Sequence, residues 1–155
     1  MRALLFDAER QEILLIKALV PDTGAELWFT PGGGMEAHET DLECLARETL
    51  EETGLEVLPE ASLVWTRSER FVFMGDQYHQ DERYYLVPIP RFDVANRALE
   101  DHETETFLVA RWWSLGDILA SSDTFVPADL GSLVTELAEA LRAGRLPDTP
   151  RHVGR

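Results

Sequence analysis

One cysteine, Cys44, stands among 155 residues, so no intrachain disulfide can form and a disulfide-stapled secreted fold is excluded. A reducing cytoplasm is the expected compartment. Lysine is scarcer still in proportion to its usual abundance, because Lys17 is alone and every other basic residue is arginine. Cations number 14 against 29 acids, a formal net charge of -15. Duplex nucleic acid is therefore not an expected partner, since non-specific binding needs clustered cations to displace phosphate counterions. Long hydrophobic runs are missing as well. Asp7 interrupts the N-terminal stretch early, and the run Ile13 to Ile16 stops at Lys17, so no membrane span or export leader is expected.

What is present describes one ordinary globular domain. Hydrophobic residues make up 45% and charged residues 28%, which argues against disorder, and a chain of this length buries roughly two thirds of its unfolded surface. The expected organisation is a single domain over residues 1–144 with a flexible tail over 145–155, where two prolines and a polar composition favour fraying.

Ala3 to Phe6 and Ile13 to Val20 read as two strands around a polar turn, and Leu27, Trp28 and Phe29 lead into Pro31-Gly32-Gly33-Gly34, a loop of unusual backbone freedom. Thr40 followed by Glu43 is a capping-box signature and Gly54 a left-handed terminator, so the spacing predicts a helix over 41–53. On it Leu42, Leu45, Ala46, Thr49 and Thr53 share one arc, expected to pack on a sheet. Leu63 to Met74 and Tyr78 to Ile89 read as a hairpin around Gly75-Asp76, Phe107 to Leu115 as a further strand, and Leu130, Leu133, Val134, Leu137 and Leu141 as a last helix.

Glu48, Glu51 and Glu52 project from the predicted helix within about 100° of one another, on the arc away from the apolar stripe. A solvated acidic face is the plain alternative. If the glycine loop folds over these carboxylates and excludes water, their mutual repulsion calls for a divalent cation, and hard oxygen ligands suit Mg²⁺ or Mn²⁺. Cys44 lies beside the same arc, one turn earlier, and is expected as a surface or groove-edge thiol.

Gly33, Glu39, Arg47, Glu48, Glu51, Glu52, Gly54 and Leu55 resemble the Nudix box, GX5EX7REUXEEXGU. Seven are single-residue matches, for which chance at average usage is about 10⁻⁹ per register. The box covers 33–55, and the Pro-Gly-Gly loop before it and the segment Arg111 to Leu115 are also similar to the family. Two positions depart from the pattern. Thr49 replaces an apolar residue, its methyl expected to pack and its hydroxyl to bond back to the preceding turn, and His38 stands where many members have glycine.

The resemblance implies an α/β fold, a Nudix-type α/β/α sandwich around a central mixed β-sheet. It implies a metal-dependent hydrolase cleaving a pyrophosphate bond in a nucleoside diphosphate linked to another group, with a catalytically silent nucleotide-binding or regulatory module as the alternative. Carried over by position, Glu48, Glu51, Glu52 and the Gly32 carbonyl would hold Mg²⁺ or Mn²⁺, and Arg47 would orient Glu48 with Glu39 as its partner. Glu48 is the first candidate for general base, and Glu103 or Glu105, in a late loop, the other. Arg67 and Arg83 are candidates for substrate contact, and Trp28, Trp65, Phe71, Phe73, Tyr78 or Tyr84 for stacking on a base. The partner is a small-molecule nucleotide, and a homodimer is left open. The downstream proline that marks many ADP-ribose hydrolases of the family is missing between Pro59 and Pro88.

Overall fold

In a computed structural model, which describes residues 1–95 and 107–154, the chain forms an eight-stranded mixed sheet between helices. The strands are β1 (Arg2–Asp7), β2 (Glu12–Val20), β3 (Ala25–Phe29), β4 (Ser62–Phe73), β5 (Asp76–Pro88), β6 (Phe107–Ser114), β7 (Phe125–Val126) and β8 (Arg151–His152). The helices are α1 (Asp41–Thr53), α2 (Leu115–Ala120) and α3 (Leu130–Arg142). None is long and apolar enough to cross a membrane.

Most strands run in the order β7-β3-β2-β1-β5-β4-β8, with β6 on β2 outside that path. Ile13 pairs with both Phe6 and Trp113, and Ile16 with both Phe29 and Ala110. β6 thus occupies one edge of β2, while β1 and β3 share the other, so the sheet forks along β2. β1 runs parallel to β5, which makes the sheet mixed.

Alternating side chains divide the core between two faces. Leu4, Phe6, Ile13, Leu15, Tyr84 and Trp113 pack with Leu130, Val134 and Leu137 of α3. Ala3, Leu5, Leu14, Tyr85 and Trp112 point the other way and pack with Leu45 of α1. These two layers make the expected sandwich. The β4–β5 hairpin turns at Met74-Gly75, both with positive φ, one residue before the expected centre.

The tail expected to fray is docked instead. Arg151 and His152 add β8 to β4, the Val153 N–H donates to the Thr66 carbonyl at 2.8 Å, and Val153 is buried in the α3-side core. One valine with a free sheet edge to pair with anchors a segment whose composition is otherwise polar. The apolar face of α1 is also rotated from its expected position. Leu42 is exposed and Ala46 partly so, while Cys44, Leu45, Thr49, Glu52 and Thr53 are buried. Cys44 is therefore an interior thiol, its Sγ 3.5 Å from the Gly34 carbonyl, rather than a surface or groove-edge one.

Candidate active site

Thr40 caps α1 with both halves of a capping box, accepting from the Glu43 N–H at 3.3 Å while Glu43 accepts from the Thr40 N–H at 2.7 Å. The helix ends at Gly54, whose φ of 78° is left-handed and whose N–H reaches the Leu50 carbonyl at 3.0 Å. These ends set the register of the side chains between them. Asp41, in the first turn, is held from β5 by Arg83 Nη1 and by the Tyr85 hydroxyl, at 2.7 and 2.6 Å. Burial and the Asp41 bond push the Tyr85 phenol up to about 12.

Arg47 ties the preceding loop to the helix. Its Nε and Nη2 donate to the two oxygens of Glu39 at 2.6 and 3.0 Å, its Nη1 to Glu48 Oε1 at 2.8 Å, and Nη2 also to the Gly34 carbonyl at 3.0 Å. The paired guanidinium, with the Glu36 N–H, holds the Glu39 carboxyl down at about 2. Glu43 is spent on the cap, and Glu51 Oε2 sits 3.5 Å from Arg47 Nη1, so the loop bonds dominate over simple helix pairing.

The three predicted carboxylates differ in setting. Glu51 is exposed, Glu48 lies against the glycine loop, and Glu52 is buried with 7% of its surface accessible. A β-carbon on Gly33 would collide with the Glu48 carboxylate. Glu52 Oε2 accepts the Gly32 N–H at 2.8 Å. Burial, reinforced by Glu48 and Glu51, pushes the Glu52 carboxyl up to about 8 against the opposing pull of that N–H and Arg2. A desolvated carboxylate flanked by two more, under a loop with no side chains to spare, is a donor set suited to a hard divalent cation. The three oxygens are not drawn together, however: among the described residues no three acidic, histidine or cysteine side chains form a ready-made cage. Arg47 takes one oxygen of Glu48 and Gly32 one of Glu52, while the Gly32 carbonyl accepts from Arg2 Nη1 at 3.2 Å.

Next to the glycine loop, which its lining residue Arg2 touches at the Gly32 carbonyl, lies a cavity of about 390 Å³. Leu27, Phe29, Phe71 and Val126 contribute apolar walls, and Arg2, Arg67, Gln80, Glu82 and Tyr84 a polar one. Glu82 is 5% exposed and organises that wall. Its Oε1 accepts from Arg2 Nε and Gln80 Nε2 at 2.8 and 2.9 Å, its Oε2 from Arg67 Nη1 and the Tyr84 hydroxyl, both at 2.8 Å. Burial alone would raise its pKa, but the neighbouring Arg2 charge and these bonds hold it below the ordinary value. The same carboxylate and burial raise the Tyr84 phenol.

Arg67 reaches the cavity, its Nε buried and without a hydrogen-bond partner among the described residues, whereas Arg83 does not: it is spent on Asp41 on the α1 side. Trp28 and Trp65 are core, Phe71 and Tyr84 line the cavity, and Tyr78 stacks on Phe71 at 5.6 Å. Glu103 and Glu105 lie outside the described residues, and nothing is described of the Phe73 side chain. Arg2 and Glu82 were not singled out from the sequence. Parity held the signal: Glu82 is two residues before Tyr84 and four before Leu86, and Arg2 two before Leu4, on positions that face the core.

The NUDIX domain model matches residues 1–133, and the chain belongs to that family. It is 31% identical over 97 residues to the asymmetrical bis(5'-nucleosyl)-tetraphosphatase of Rattus norvegicus, covering 63% of this chain and 63% of that protein's length. It is 40% identical over 74 residues, 45% of this chain and 23% of the other, to a human 8-oxo-dGDP phosphatase. Among solved structures, the NUDIX domain of Shewanella oneidensis NrtR, determined with ADP ribose, superposes with a TM-score of 0.64 over 90% of this chain and 85% of its own, at 20% identity. That likeness is one of fold.

Proposed function

We propose that this chain is a metal-dependent pyrophosphohydrolase acting on a nucleoside diphosphate linked to a further group. The observation that carries the reading is Glu52, a carboxylate buried beneath the glycine loop on a helix that also carries Glu48 and Glu51. A solvated acidic face would leave all three in water. Glu48, Glu51, Glu52 and the Gly32 carbonyl would hold Mg²⁺ or Mn²⁺. The bound ion supplies charge neutralisation for phosphoryl oxygens and a lowered pKa for a coordinated water.

The remaining work falls to the chain. Arg47, fastened to Glu39, limits where Glu48 can turn, which supports Glu48 as the group that takes a proton from the attacking water. The cavity receives the nucleoside, with Phe71 and Phe29 offering ring faces and Arg67 a polar contact. Nucleotide substrates named for the relatives, a bis-nucleosyl tetraphosphate and 8-oxo-dGDP, support a nucleotide for this chain without selecting one. The lone buried thiol supports a reducing compartment such as the cytoplasm.

The test is phosphate or nucleotide release from nucleoside triphosphates, nucleotide sugars, dinucleoside polyphosphates and ADP-ribose, with and without Mg²⁺. Glu52→Gln should lower metal-dependent turnover by more than about 100-fold and leave the far-UV spectrum unchanged, because glutamine can still accept the Gly32 N–H. Undiminished turnover by that variant on a substrate the parent cleaves would remove the reading.

A further inference from the structure

One side chain belongs to both the cavity wall and the glycine loop. Arg2 donates from Nε to Glu82 Oε1 at 2.8 Å and from Nη1 to the carbonyls of Gly32 and Thr30, at 3.2 and 3.4 Å. Its guanidinium carbon lies 5.3 Å from the centroid of Phe29, a cavity-lining ring. Gly32 is thereby held on both sides, the carbonyl of its peptide with Gly33 by Arg2 and the N–H of its peptide with Pro31 by Glu52 at 2.8 Å. The backbone reinforces this hold. The Ala3 N–H donates to the Pro31 carbonyl at 2.7 Å, and a β-carbon on Gly32 would collide with the Met1 carbonyl and Arg2 Cα.

Behind Arg2, the Glu82 oxygens take four donors, so the carboxylate is fully satisfied where it stands. Arg2 cannot swing away without leaving a buried charge short of a partner, which fixes the guanidinium plane. We propose that Arg2 is a positioning residue: anchored on Glu82 in the cavity, it sets the orientation of the Gly32–Gly33 peptide, whose carbonyl it holds, and through it the affinity of the loop for the divalent ion. This rests on the reading that the Gly32 carbonyl and the α1 glutamates take that ion. A consequence is that Glu82, which does not touch the loop, influences ion binding through Arg2.

The measurement is a Mn²⁺ titration of the full chain followed by electron paramagnetic resonance, beside kcat and KM on a cleaved nucleotide. Arg2→Met is expected to weaken Mn²⁺ binding by about 10- to 100-fold, the range for residues that orient a metal ligand. Arg2→Lys, which keeps the charge but loses the fork, should fall between. Glu82→Gln should weaken binding in the same direction, and the Arg2→Met/Glu82→Gln pair should be no worse than Arg2→Met alone. If Arg2→Met does not fold by circular dichroism, Arg2→Lys and Glu82→Gln decide the matter. Unchanged or tighter Mn²⁺ binding in the folded variants, with only KM for the nucleotide raised, would mean a charge or substrate contact and overturn the proposal. A parent protein that binds no Mn²⁺ overturns the functional reading together with it, whereas parent binding matched by the variants overturns the positioning role alone.

Discussion

Gly33 shows how little room the loop leaves over α1. Its missing side chain lets the backbone lie against the Glu48 carboxylate, so Gly33→Ala should displace that carboxylate by a large fraction of an ångström. Turnover should drop by about 100-fold with little loss of stability, read by comparing kcat with the denaturation midpoint. His38 makes the opposite case. It is exposed with φ at 72°, a conformation that costs a β-carbon-bearing residue energy and costs glycine little, which accounts for the glycine of the family pattern there. His38→Gly should raise stability by up to about 1 kcal/mol, the strain relieved less the added freedom of the unfolded chain, and calorimetry would show it as a higher Tm. Thr49, the other departure, is wholly buried and its hydroxyl donates to the Leu45 carbonyl at 2.8 Å, as its place on the helix led one to expect.

At the scale of elements, side chains from β5 tie the first turn of α1 to the sheet. The Tyr85 hydroxyl and Arg83 both close on Asp41, so Tyr85→Phe should cost about 1.5–3 kcal/mol, the value of a hydrogen bond to a charged group. Urea denaturation would measure it. The β1–β2 turn is organised by Asp7, whose buried carboxylate accepts the N–H groups of Glu9, Arg10 and Arg91 at 3.0, 2.9 and 2.7 Å. Burial opposes ionisation there, but these bonds prevail and hold its pKa below the ordinary 3.8. A depressed carboxyl contributes stability in full above its unfolded pKa, and the contribution is lost as pH falls through the folded value. Asp7→Asn should therefore cost about 1–2 kcal/mol near neutrality, with the gap to the parent closing in acid below pH 3.8.

For the molecule as a whole, the sheet divides two apolar layers, with α3 packed on one and the carboxylate helix on the other. Arg2, at the start of β1, touches both Glu82 in the cavity wall and the Gly32 carbonyl of the glycine loop. The far edge of the sheet is closed by β8, and Val153 fills a place beside α3. Val153→Ala removes two methyl groups from that core and should lower stability by about 2 kcal/mol, seen as a shifted denaturant midpoint with activity retained. A tail that contributed nothing would leave the midpoint where it was.

Local chemistry determined much of this protein from its sequence. The capping box at Thr40, the glycine at 54 and the glycine at 75 act within a few residues, so the bounds of α1 and the pairing of β4 with β5 could be read directly, the hairpin turn to within one residue. The spacing of Arg47, Glu48, Glu51 and Glu52 likewise singled out the helix proposed to carry the chemistry. What the linear pattern could not hold is which face each side chain meets. Only the packed sheet decided that Glu52 is interior and Leu42 is not, that Arg83 serves Asp41 while Arg67 lines the cavity, and that the tail closes an edge. Burial and partnership arise from contacts across tens of residues, such as Arg2 with Glu82 or Thr66 with Val153, and no local propensity encodes those.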